Sequence, residues 1–117
     1  MNMSKELELA KYYFDLSNTS DFTAIATLFD EKSTFCTRNL DYFIGVKNIM
    51  PMQKTHHGSY QKLHWEVTTV EEVKSGVIRF EFDFSGLNKA NELIQFSGIE
   101  YVVIRDGIIR HIDIRSA

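Results

Sequence analysis

Val77-Ile78-Arg79-Phe80-Glu81-Phe82-Asp83-Phe84-Ser85-Gly86 alternates between apolar and polar residues along most of its length. Successive side chains of a strand point to opposite faces, so Ile78, Phe80, Phe82 and Phe84 form one face and Arg79, Glu81 and Asp83 the other. A face carrying three phenylalanines has to be covered by another layer. The neighbouring sequence supplies further strands. Upstream, residues 61–74 place Leu63, Trp65 and Val67 in alternation, and Ser75-Gly76 is a turn. Downstream, residues 93–105 read as a strand, Asp106-Gly107 as a hairpin turn and 108–115 as a last strand.

The covering layer comes from the first half of the chain. Residues 4–17 predict a helix with Ser4 as its N-cap and Glu6 and Glu8 near its positive end. Leu7, Ala10 and Phe14 share one stripe, with Leu9, Tyr13 and Leu16 beside it. Asp21 caps a second helix in which Phe22, Ile25, Ala26 and Phe29 recur at helical spacing. Two short strands follow within residues 33–44. Residues 47–57 predict a third helix whose inner face is Ile49, Met52, Gln53 and His56, with Pro51 expected in the first turn or at a kink. The expected fold is α+β: three helices from the N-terminal half, wrapped by a curved, cone-shaped antiparallel sheet. A chain of 117 residues suits one domain over residues 1–117, and one this long buries roughly two thirds of its unfolded surface without metal or disulfide staples.

Composition narrows the function. A net charge of −3 with scattered Lys and Arg gives no basic face for nucleic acid. No apolar run approaches the roughly 18 residues of a membrane span, and the acidic start at Glu6 and Glu8 is unlike a secretory leader. The lone Cys36 cannot form an internal disulfide and reads as a buried thiol, so a cytoplasmic location is expected.

Several residues carry chemistry. Glu100 shares a strand face with Val102 and Ile104, and a carboxyl among apolar neighbours should hold its proton unusually tightly. His56, on the inner face of the third helix, has the titration range for proton transfer. Trp65, Phe80, Phe82, Met52, Thr37 and Ile112 are the expected lining of an apolar pocket. His56 and His57 diverge by about 100° on a helix, and His111 and Asp113 are only two ligands on an outward face, so no metal and no cofactor are expected. Ile99, Tyr101 and Val103 form an outward apolar stripe, as an interface would.

The stretch Tyr13-Phe14-Asp15-Leu16-Ser17-Asn18-Thr19-Ser20-Asp21-Phe22, continued by Ala26-Thr27-Leu28-Phe29-Asp30-Glu31-Lys32-Ser33-Thr34-Phe35, resembles the nuclear transport factor 2-like superfamily. This group includes ketosteroid isomerase and the SnoaL-like polyketide cyclases. Gly45 before Ile49, and Asp106-Gly107-Ile108-Ile109, resemble the start of that superfamily's third helix and its closing hairpin. The resemblance implies a cystatin-like roll and a homodimer through the outer sheet face. It also implies an oxyanion-binding role for Tyr13 and, in Ser97-Gly98-Ile99-Glu100-Tyr101, for Glu100. At the position of the catalytic base stands Thr37, which cannot accept a proton near neutral pH as a carboxylate can, leaving Asp41 and His56 as candidate substitutes. Three functions remain open: a SnoaL-like module binding a hydrophobic small molecule, an acid–base isomerase, cyclase or dehydratase, or a non-catalytic dimerisation domain with a filled core.

Overall fold

The computed structural model describes residues 3–117; Met1 and Asn2, the start of the segment read as free of a leader, lie outside them. Among the described residues the order is α1 (Lys5–Asn18), α2 (Phe22–Ala26), β1 (Thr34–Cys36), β2 (Tyr42–Ile44), α3 (Val46–Gly58), β3 (Tyr60–Lys74), β4 (Val77–Asn88), β5 (Leu93–Arg105) and β6 (Ile108–Ser116). The strands form one curved sheet in the order β2-β1-β6-β5-β4-β3. All pairings are antiparallel except β1 with β6, which is parallel.

The phenylalanine face of β4 is the centre of the core. Ile78, Phe80, Phe82 and Phe84 are all buried, and Phe14 of α1 lies on Phe80 with ring centroids 4.2 Å apart. Two irregularities bend the neighbouring strands and keep their apolar residues inward. β3 shifts register between Val67 and Thr69, so the inward series Leu63, Trp65, Val67 resumes at Val70. The β5–β6 pairing shifts beside Ile104, so Ile109 and Ile112 both face the core although they are an odd number of positions, three, apart.

Polar side chains fix how the helices sit. The Ser4 hydroxyl accepts from the Leu7 N–H at 3.0 Å and donates to Glu72 of β3 at 2.6 Å, while the other Glu72 oxygen accepts from the Gly76 N–H. One carboxylate therefore ties the start of α1 to the β3–β4 turn. At the other end of α1, the Asn18 amide accepts from the Trp65 N–H at 2.7 Å and donates to the Trp65 carbonyl at 3.0 Å. It satisfies backbone groups of an edge strand that would otherwise be unpaired.

Two features differ from expectation. The second helix ends at Ala26 instead of continuing through Phe29. The Thr27 hydroxyl donates to the Ala24 carbonyl, and the Leu28 carbonyl accepts from the Ile109 N–H at 2.8 Å. The chain thus leaves the helix to join β6, while Leu28 and Phe29 stay buried. Pro51 sits in the second turn of α3, inside the helix, on an exposed face where its missing N–H is tolerated.

Candidate functional site

Between the helices and the sheet lies a cavity of about 870 Å³, within the range of small-molecule sites. The filled core expected of a purely structural domain is therefore not what the side chains form.

Tyr13 and Glu100 both line this cavity and both are buried. α1 brings in Tyr13 because Ala10, Tyr13, Phe14 and Ser17 share its buried stripe. β5 brings in Glu100 because it pairs with Phe80 on one side and Ile114 on the other, and so shares the inward face. Among the described residues the Glu100 side chain makes no hydrogen bond and no ion pair. Burial alone pushes its pKa up to about 8, so at neutral pH it is mostly a neutral carboxylic acid, able to donate a proton. Burial, and then the Glu100 charge, hold the Tyr13 hydroxyl well above the usual phenol range, while hydrogen bonds from Ser17 and Gln53 pull the other way. Gln53 Nε2 donates to the Tyr13 oxygen at 3.1 Å, which leaves the phenolic hydrogen free to donate. Gln53 Oε1, also buried, has no partner among the described residues.

The third helix is turned by about one residue from expectation. It buries Ile49, Met50, Gln53 and His57, and His56 stands at the rim. His56 lies against Tyr60, Trp65 and Phe84, and partial burial, then the charge of Arg38, lowers its pKa. His57 binds the Ser20 hydroxyl through Nδ1 at 2.8 Å, and burial, then His56, pushes it down to about 4. Both imidazoles are therefore neutral at physiological pH.

Asp41 is exposed at the mouth, on the β1–β2 connection. Thr37 is occupied structurally: its hydroxyl accepts from the Asp41 N–H at 3.1 Å and its own N–H donates to the Asp41 carbonyl. Trp65, Phe82, Met52 and Thr37 line the cavity. Phe80 and Ile112, expected on its wall, do not. Both are wholly buried, Phe80 under Phe14 and Ile112 on the inner side of β6, where Ile114 takes the lining position instead.

Sequence reading missed four contributors. His57 enters the sequence reading only as a candidate metal ligand, although Ile49, Gln53 and His57 at i, i+4 and i+8 make a helix stripe of their own. Ser17 follows Tyr13 at i+4 on α1. Arg38 and Phe96 come from distant segments, and no local pattern unites them.

No family model matches the chain, and no curated protein matches it by sequence. Solved structures do. A proposed SnoaL-like polyketide cyclase from Shewanella denitrificans OS-217 superposes with a TM-score of 0.86 at 10% identity, over 98% of this chain and 92% of its own. An NTF2-like protein of unknown function from Exiguobacterium sp. 255-15 gives 0.83 at 16% identity, over 93% and 98%. An LEH-like epoxide hydrolase from M. tuberculosis gives 0.83 at 9% identity, over 96% and 82%. Identities this low speak to architecture, and the architecture is unambiguous: this chain has the nuclear transport factor 2-like fold, shared by SnoaL-like and ketosteroid isomerase-like proteins.

Proposed function

We propose that this chain binds a flat, hydrophobic small molecule and holds an oxygen of that molecule between the Tyr13 hydroxyl and the Glu100 carboxylic acid. The observation that carries this reading is the Glu100 carboxyl, which lines the cavity on a buried residue and makes no hydrogen bond among the described residues. A neutral acid facing an apolar cavity has no partner in the protein for its proton, and a ligand oxygen would accept it. Trp65, Phe82 and Phe96 supply aromatic walls. The test is fluorescence titration with 2-naphthol, a flat probe with one oxygen. The wild type should bind it, and Tyr13→Phe should bind it about tenfold more weakly, the equivalent of one hydrogen bond of about 1.4 kcal/mol. Absence of binding, or equal binding by both, contradicts the reading.

A second reading is favoured by the neutral state of His56 at the rim. A base there, or Asp41, would remove a proton from carbon next to a ligand carbonyl, and the two donors would hold the resulting enolate oxygen. Protein-dependent deuterium exchange at the α-carbon of 2-tetralone, lost in His56→Gln or Glu100→Leu, supports an acid–base enzyme. No exchange above buffer leaves the binding function alone.

The outer sheet face supports a proposal of homodimerisation. Ile99, Tyr101 and Val103 stand half-exposed in a row, flanked by the Arg79–Glu81 and Arg115–Asp113 pairs at 2.8 and 2.7 Å. Light scattering should give twice the chain mass, and Tyr101→Lys the mass of a monomer. A monomeric wild type overturns it. Among the described residues no helix is long and apolar enough to cross a membrane.

A further inference from the structure

We infer that the ligand has two unlike ends: an oxygen-tipped aromatic body in the cavity, and a carboxylate at the mouth held by Arg38. This deepens the ligand-binding reading above and rests on it.

Arg38 stands on the β1–β2 connection, next to Thr37, whose two hydrogen bonds to Asp41 fix the backbone beneath it. Its guanidinium carbon lies 3.7 Å over the centre of the Phe96 ring. Stacking of this kind uses the flat face of the cation and leaves its N–H edge free in the plane. Arg79, Arg110 and Arg115 each hold a carboxylate, at 2.8, 2.6 and 2.7 Å. Among the described residues Arg38 makes no ion pair and no hydrogen bond. Arg105, also without an ion pair, does not line the cavity, whereas Arg38 does.

The electrostatics of the mouth agree with this. The Arg38 charge is felt by His56, which it helps keep neutral. The acids lining the cavity are Asp41 and Glu100. Asp41 forms no ion pair with Arg38 among the described residues, and Glu100 lies buried, away from the exposed connection. The mouth therefore presents a preorganised planar fork above an aromatic wall, matched to the two oxygens of a carboxylate. A body attached to that carboxylate would run inward along Phe96 and Phe82, both cavity-lining rings.

The test compares two probes that differ only in the head group: 6-hydroxy-2-naphthoic acid and its methyl ester, titrated by fluorescence at pH 7 and low salt. The wild type should bind the acid about tenfold more tightly than the ester. Arg38→Gln should erase that preference while leaving ester affinity within about twofold, and added salt should weaken the acid alone. If acid and ester bind equally, or Arg38→Gln weakens both alike, the carboxylate assignment fails while ligand binding stands. If neither probe nor 2-naphthol binds, the underlying reading fails and the inference with it.

Discussion

Replacing Glu100 with Gln keeps the shape of the protonated side chain and removes its ability to ionise. In the folded protein the Glu100 proton dissociates near pH 8, against a reference of 4.5 for an unperturbed glutamate. Between those values the folded state binds the proton more tightly than the unfolded state, so wild-type stability falls as pH rises through this window. The full loss is reached only above the folded-state value. Linkage makes Glu100→Gln more stable relative to wild type by an amount that grows from about 1 kcal/mol at pH 5 to about 3 at pH 7 and about 5 at pH 9. For a chain of 117 residues the whole stability is roughly 6–18 kcal/mol, so the wild type should be visibly weakened in alkali. Urea unfolding followed by Trp65, the single tryptophan, reads the difference directly. Any fixed cost of burying the Gln amide shifts all three values equally and leaves the pH slope intact. A difference that stays flat from pH 5 to 9 would refute the claim that Glu100 is held as a buried neutral acid.

Other residues give independent checks. The His57 imidazole should titrate near 4 by proton NMR, so that its protonation removes stability as pH falls from 6.5 toward 4; a midpoint near 6.5 would show that it is not enclosed as described. Gly76 and Gly107 have nearly the same backbone angle, φ +77° and +76°, but a methyl at 76 would sit 2.5 Å from the Ile104 carbonyl oxygen and one at 107 would meet nothing within 4 Å among the described residues. Gly107→Ala should cost about 1 kcal/mol from the backbone alone, and Gly76→Ala at least about 2 kcal/mol more; equal losses in denaturant unfolding would contradict this. Asn18→Ala removes both bonds to the Trp65 backbone and should cost about 1–3 kcal/mol with a red-shifted Trp65 emission. An unchanged spectrum and stability would mean that the clamp does not position that wall.

Much of the fold is legible in the sequence because it is periodic. The alternation from Val77 to Phe84 defines a face that survives intact, and capping residues at Ser4 and Asp21 mark helix starts that the structure keeps. What was not legible depends on partners far along the chain. The early end of α2 is decided by the Ile109 N–H, more than 80 residues away. Alternation puts Phe80 and Ile112 on the inward face, where both lie, but does not give depth: Phe80 is covered by the Phe14 ring and Ile112 is wholly buried, while Ile114, two positions on along the same face, reaches the cavity. Glu100 could be identified because its apolar neighbours on the strand set its surroundings. The Arg38–Phe96 pair could not, since 58 residues and three strands separate its members.

The proposed site depends most on Glu100 holding a proton at neutral pH inside the cavity. Carbon-13 NMR of its side-chain carboxyl, followed from pH 3 to 10 with Glu100→Gln to assign the signal, reports that state residue by residue. A midpoint near 8 is the predicted result. A midpoint near 4.5, that of an ordinary solvated glutamate, would contradict it and remove the donor on which the proposed site is built.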